Sequence, residues 1–492
     1  MGREVGPTEF TRDDRRRYRE KLRGNLDVLG HMLDAGSFES RRNIVGLELE
    51  LNLCDGNGAP KMVNAEVLDL IASADYQTEL GQFNIEVNVA PHKLVGTVFR
   101  ELEEEIRTSL NYAERRANEV DAHIVMIGIL PTLTATHMRT ETLSRNPRYA
   151  LINEQVLAAR GEDLHLSIAG VEKLATSVDS IVPEAACTST QLHLQVSPAA
   201  FGSVWNAAQA IAGVQLALGA NSPFLFGREL WAETRTILFE QATDTRSEEL
   251  IAQGVRPRVW FGERWIDSAL DLFEENVRYF PALLPVVDDE DPREVLARGD
   301  VPHLRELGLH NGTVYRWNRP IYDVARGKPH LRVENRVLPA GPTVADVLAN
   351  AAFYYGLVRA LSRQTPPVWH KLSFTAAADN FLACARDGID AHVYWPGAGT
   401  VPVTELVLRT LLPLAAEGLD GWKVDPAERD RLLSVIEQRC LAHANGAAWQ
   451  SRWFHHLCDH EDLDRGEALH AMVARYAEHM HSNEPVHTWP LP

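Results

Sequence analysis

The chain has 492 residues, a formal net charge of −19, 45% hydrophobic and 24% charged residues, a balance that supports a large folded core and excludes a disordered protein. So acidic a composition excludes nucleic acid as the main partner, because binding its backbone takes clustered Lys and Arg. No apolar run approaches the roughly 20 residues that cross a bilayer, the start shows neither signal peptide nor myristoylation pattern, and the five cysteines fall in no C-x-x-C spacing, so a cytoplasmic protein with reduced thiols and no membrane contact is expected.

Asp13–Asp34 predicts a basic amphipathic helix on the surface. Ile44–Leu53 (IVGLELELNL) alternates strictly and reads as a strand, closed by the turn residues Asp55-Gly56-Asn57-Gly58. Phe83–Ala90 (FNIEVNVA) is a second strand, ending at Pro91. Helical periodicity over Val98–Val120 leads into an apolar strand, His123–Leu130. Gln191–Ser197 (QLHLQVS) alternates again and precedes an Ala- and Leu-rich helix, Val204–Ala220. Acidic and Pro-containing, Val286–Asp300 reads as an exposed insertion. The last expected strands are Val314–Val324 and His330–Leu338, and everything from Val344 onward reads as helical. The chain is therefore α+β, a mainly antiparallel sheet wrapped by helices, with a helical C-terminal region. Its expected organisation is an N-terminal helix on the body (1–40), a catalytic part (41–343) and a helical part of the same fold (344–492).

Strand geometry turns these patterns into faces. Glu48 and Glu50 point to one side of their strand, and Leu47, Leu49 and Leu51 to the other. Two such carboxylates fit an exposed acidic strand as well as a seat for a hard divalent cation. Glu79 stands seven residues before Glu86, which shares a face with Asn84 and Asn88. Gln191, His193 and Gln195 line one face of a third strand; Arg332, Glu334 and Arg336 line one face of a fourth. A lone histidine is more often structural, but its position between two same-face glutamines puts His193 in the site. Gathered on one concave side of a sheet, these groups supply ligands for Mg²⁺ and arginines for a phosphoryl group in transfer.

The motifs resemble those of glutamate-cysteine ligases, which have a glutamine synthetase-like fold. VGLELELNL (Val45–Leu53) looks like their G-x-E-x-E opening strand, and TELGQFNIEVNVAP (Thr78–Pro91) like the acidic segment that follows. NPRY (Asn146–Tyr149), ANSPFLFG (Ala220–Gly227), ETRT (Glu233–Thr236) and VENR (Val333–Arg336) resemble later family motifs and occur in the expected order. The resemblance implies a curved sheet forming an active-site hollow, with Glu48, Glu50, Glu79, Glu86, His193 and Glu334 holding metal. It also implies phosphate contacts from Arg235 and Arg336, nucleotide contacts from Gln191, His193, Gln195 and Arg332, and amino-acid substrate contacts from Arg148 and Tyr149. ATP and Mg²⁺, with Mn²⁺ as a substitute, are the implied cofactors. The implied partners are an amino-acid substrate and an amine acceptor, and a homo-oligomer is compatible with the family. Glu79 stands where some relatives have Asp, and the segment between Arg235 and Trp317 matches no family pattern.

The function implied is ATP-dependent joining of a carboxylate, best glutamate, to an amine, best cysteine, through an acyl phosphate. Three alternatives stand beside it: another amine acceptor, a guanidino kinase-like phosphotransferase of the same fold, and a binding or scaffold protein descended from such an enzyme. The last predicts lost acidic ligands, yet all the matched acids are present. WFHHLCDH (Trp453–His460) fits no zinc spacing and reads as structural. The chain contains no Walker A, dinucleotide-binding or G-x-S-x-G motif.

Overall fold

Alternation in Ile44–Cys54 seeds the sheet, because its odd-numbered leucines leave water together: Leu47, Leu49, Leu51 and Leu53 are all buried. The computed structural model describes residues 10–39 and 43–492; the readings of the chain start fall on residues 1–9, outside them. Seven strands form the sheet: β1 (Ile44–Cys54), β2 (Tyr76–Thr78), β3 (Asn84–Lys93), β4 (His123–Val125), β5 (Thr190–Val196), β6 (Asn318–Ala325) and β7 (Lys328–Asn335). They run in the order β6-β7-β5-β1-β3-β2, with β4 paired to the end of β1, and each pairing is antiparallel.

Register then decides which polar groups meet. On one flank of β1, Glu50 opposes Glu86 and Glu48 opposes Asn88. On the other, Glu48 opposes Gln191 and Gly46 opposes His193. One strand further out, His193 opposes Glu334, which in turn opposes Arg319 of β6. The side-chain period of two therefore puts the acids, imidazole and guanidinium groups on one face, while Leu192, Leu194, Leu331 and Val333 join the leucines of β1 in the core.

Helices cover the apolar face. Pro198–Gly219 is buried from Phe201 to its end apart from the half-buried Ser203, as expected for a helix enclosed on all sides. Val344–Ser362 ties itself to the sheet edge-on: the Tyr355 hydroxyl donates to the His193 carbonyl (3.1 Å). It also crosses Leu412–Trp422 at two glycines, where a Cβ on Gly418 would lie 1.8 Å from the Gly356 carbonyl oxygen. The N-terminal helix, Arg12–Asp34, opens with a Thr11–Asp14 capping box and buries Tyr18, Leu22, Val28, Leu29 and Met32 under an exposed basic face. One hydrophobic core includes residues from Tyr18 to Trp489.

Three expectations change. The apolar run expected as a strand to Leu130 pairs only over His123–Val125; beyond it, the chain crosses the core irregularly, with the Ile127 carbonyl satisfied by Asn52 (3.1 Å) and by Thr188. The region after Val344 is not all helical, because His392–Trp395 and Gly399–Pro402 form a hairpin. A further hairpin, Leu164–Ala169 with Lys173–Val178, escaped the sequence reading although LHLSIA buries every second residue. The acidic stretch Val286–Asp300 carries a short helix, Pro292–Ala297, and lies against the N-terminal helix through an Arg293–Asp27 pair (2.9 Å).

Gly418→Ala should destabilise the protein by about 1–3 kcal/mol, the usual cost of overpacking, because backbone rather than a flexible side chain blocks the new methyl. A urea unfolding midpoint unchanged from wild type would contradict the close crossing.

Candidate active site

The polar face of the sheet forms the floor of a cleft, and its acids sort into two groups of three. Glu48, His193 and Glu334 place one ligand atom each within 4.8 Å of one another, and so do Glu50, Glu79 and Glu86. The six residues expected to hold metal are thus brought together three by three.

The two groups differ in countercharge. Glu334, fully buried, receives Arg319 on both oxygens and Arg336 at 2.9 Å. Burial opposes its ionisation, but those two guanidinium groups outweigh burial and hold it well below the usual carboxylate range. Glu48 also lies below its ordinary value: burial works against it, and the His193 Nε2 contact (3.0 Å) prevails. Arg332 Nε donates to His193 Nδ1 (3.2 Å), which leaves the imidazole proton on Nε2, facing Glu48.

Among the described residues, no guanidinium hydrogen-bonds the all-carboxylate group. Glu50 accepts the Ser189 N–H (2.6 Å) and Gln191 Nε2 (2.8 Å), yet burial, with the Glu86 charge, pushes it up to about 7 against the pull of Arg336. Burial and the charges of Glu86 and Glu50 raise Glu79 far above its ordinary value. Glu86 is raised too, by burial and by Glu48, despite hydrogen bonds from Gln77 and Asn88. Three converging carboxylates whose ionisation burial and their mutual repulsion oppose are the donor set a hard divalent cation takes, and the residues fit Mg²⁺ or Mn²⁺.

Arg336 stands between the groups. It donates to Gln191 Oε1 (2.6 Å) as well as to Glu334, and the surrounding carboxylates raise its pKa further despite burial. Arg235 also reaches the cleft wall but is differently engaged: its Nε donates to the fully buried Glu233 (3.0 Å), and its other nitrogens donate to the carbonyls of Arg336 and Val337. It braces the segment that carries Arg336. Arg148 and Tyr149 lie across the cleft on helix Pro147–Arg160, capped by Asn146, with the Tyr149 hydroxyl donating to the Thr78 carbonyl (3.1 Å). Gln195 and Arg332 sit beyond the cleft on the same face; Gln195 donates to the Glu39 carbonyl (3.2 Å) and Arg332 pairs with Asp323 (3.1 Å).

Sequence reasoning missed Glu184, Tyr315 and Arg319, all on the cleft wall. Arg319 had a usable signal, since it lies opposite Glu334 once β6 and β7 are paired. Glu184 and Tyr315 had none: they come from a 3₁₀ turn (Val182–Ala186) and a two-residue strand. The Trp453–His460 run is a helix with Trp453, Phe454 and Leu457 buried and His455 paired to Glu229 (2.8 Å), as its structural reading expects.

The sequence model "Glutamate-cysteine ligase family 2(GCS2)" matches residues 44–447. No curated protein matches the chain. Among solved structures, glutamate-cysteine ligase from Francisella tularensis, in complex with AMP, aligns with a TM-score of 0.56 at 12% identity, over 93% of this chain and 91% of that one. A bifunctional glutathione synthetase from Pasteurella multocida aligns with a TM-score of 0.47 at 12% identity, over 92% of this chain and 54% of that one. The α+β fold with a curled, mainly antiparallel sheet is the glutamine synthetase-like fold expected above.

The raised acids fix a pH dependence. Glu184, pushed up to about 7 by burial and by Glu50, holds its proton in the folded state while the unfolded chain ionises near 4.5. The native state thus binds more protons between those values, and stability falls as pH rises through that window. Without divalent metal, Glu184→Gln should match wild type near pH 4 and exceed it by on the order of 1–3 kcal/mol at pH 8. Urea titrations at both pH values measure this, and an equal or lower stability of the variant at pH 8 would contradict it.

Proposed function

We propose that this chain, which belongs to glutamate-cysteine ligase family 2, joins the γ-carboxylate of glutamate to an amine through an acyl phosphate made from ATP. Family membership makes it a carboxylate-amine ligase; substrate, metal and intermediate belong to the proposal. One observation carries it: two ligand triads on a single polar face with the Arg336 guanidinium between them.

Phosphoryl transfer needs little covalent help from a protein, since most of the barrier is positioning and charge. Glu48, His193 and Glu334 would hold one Mg²⁺ and Glu50, Glu79 and Glu86 another, and the metal would supply positive charge for the triphosphate. Arg336 is permanently charged and fixed by Glu334 and Gln191, so it neutralises the equatorial oxygens at no cost of reorganisation. Arg235 keeps Arg336 in place through its hold on the Arg336 and Val337 carbonyls. Arg148 and Tyr149 orient the amino acid from the opposite wall. The carboxylate oxygen attacks the γ-phosphorus, ADP leaves, and the amine then displaces phosphate from the acyl carbon. A nucleotide named in the Francisella tularensis complex supports ATP as the phosphoryl donor, and cysteine is the acceptor that the family's name favours.

A panel of amines including cysteine, with glutamate, ATP and Mg²⁺, should release ADP stoichiometrically with a γ-glutamyl amide seen by mass spectrometry. EDTA should abolish release, and Mg²⁺ or Mn²⁺ should restore it. Release of ADP with a phosphorylated product and no amide, whatever the amine, would make the chain a phosphotransferase instead.

Glu86→Gln and Arg336→Lys should each lower kcat/KM by about 10²–10³-fold, the usual loss when a group aimed at developing charge is removed. Glu86→Gln should not lower the melting temperature of the metal-free protein, because it takes a negative charge out of a crowded, cation-poor group. Full activity in either variant would place the chemistry elsewhere.

A further inference from the structure

Glu184 belongs to neither triad, yet it faces the cleft. Its 3₁₀ turn is clamped: Val182, Pro183, Ala185 and Ala186 are buried, Ile181 N–H donates to Asn153 Oδ1 (2.9 Å), and Cys187 N–H returns to the Glu184 carbonyl (2.9 Å). Gly81 is what lets the turn come so near, for a Cβ there would lie 3.0 Å from the Ala185 Cβ and 2.8 Å from the Phe83 ring. The side chain so held shares the cleft with Glu50, Arg336, Tyr149 and Tyr315, and lies near enough to each for their charges to interact.

Other carboxylates of the cleft are engaged: Glu48 with His193, Glu50 with Ser189 and Gln191, Glu79 with Glu86, and Glu86 also with Gln77 and Asn88. Among the described residues, no hydrogen bond or ion pair engages the Glu184 carboxylate. A half-buried carboxylate without a partner costs stability and is tolerated where a ligand supplies the partner.

An acceptor amine enters as an ammonium ion and must lose a proton before its lone pair can attack. We propose that Glu184 holds the acceptor's ammonium group beside the acyl phosphate and takes that proton, which rests on the ligase reading above. The other titratable groups at this end are poorly suited. Tyr149 gives its proton to the Thr78 carbonyl and burial raises it further, burial holds Tyr315 up at about 12, and burial holds the Cys187 thiol far above its usual range. In the reaction, one proton passes from nitrogen to Glu184 and the C–N bond forms at the acyl carbon. The C–O bond to phosphate then breaks, and the second proton leaves nitrogen with the departing phosphate, giving an amide and hydrogen phosphate. Glu184 returns its proton to solvent.

Hydroxylamine separates this role from a structural one, because it is largely unprotonated at neutral pH and needs no base to free its lone pair. In Glu184→Gln, kcat/KM for the best amine of the acceptor panel should fall by about 10²-fold or more, while glutamyl hydroxamate forms within a few-fold of the wild-type rate. Glu184→Asp should recover part of the amine activity. Equal losses with amine and hydroxylamine, or no loss with either, would overturn the assignment. A wild-type enzyme that makes no hydroxamate would overturn the acyl phosphate, and the ligase reading with it.

Discussion

Negative charge gathered on one face of a sheet is the constraint from which the rest of this structure follows. Burying a carboxylate is expensive unless something positive or protic compensates it, and here β1, β3, β5 and β7 bring four together with a histidine, and Glu79, between β2 and β3, adds a fifth. The fold compensates them unequally. Around Glu334 and Glu48 the chain provides its own cations, Arg319, Arg336 and the His193 contact, and both acids ionise readily. Around Glu86 it provides the amides of Gln77 and Asn88, and both Glu79 and Glu86 resist ionising. The divalent cation proposed above would relieve that imbalance, because it brings positive charge to the group that has no arginine bonded to it.

Rigidity at the site comes from a second layer that contributes no reacting group. Glu233 is fully buried, accepts the Asn221 N–H (2.9 Å), and anchors Arg235, which grips the successive carbonyls of Arg336 and Val337. Asn221 in turn reaches the Ala340 carbonyl and the Tyr476 hydroxyl, both at 2.8 Å. The position of one guanidinium is thereby tied to the C-terminal helix Arg465–Ser482, and the helical region after Val344 works as scaffold for the sheet chemistry.

What the sequence made legible follows from periodicity. β1, β3, β5 and β7 each have one face in the core and one in the cleft, so alternation revealed both the strands and their polar residues. The sorting into two triads was not legible, because it depends on register between strands distant in sequence; Glu48 and His193 are 145 positions apart. The phosphate contact expected of Arg235 came from the resemblance of its ETRT motif, and the sequence does not show that three of its donors turn to Glu233 and to the Arg336 and Val337 carbonyls. Irregular chain left the least trace: Met126–Leu130 reads as a strand yet satisfies its carbonyls with side chains, and Glu184 is a single acid in a five-residue turn.

The same contrast separates the two ends of the cleft. Its phosphoryl end is built from paired strands, whose hydrogen-bonded ladders hold ligand atoms to a fixed spacing. Its far wall is built from a helix start at Arg148 and Tyr149, the turn carrying Glu184, and short segments around Gly312, Tyr315 and Arg319. Family motifs are recognisable along the strands and fail across the segment between Arg235 and Trp317, where part of that wall lies. On the proposed reading, a strand-borne site for making the acyl phosphate can keep its geometry while a turn-borne wall is remodelled around a different nucleophile. On the same reading the acceptor is decided by the part of the chain that periodicity describes least, and the role proposed for Glu184 asks only that the acceptor bring a protonated nitrogen.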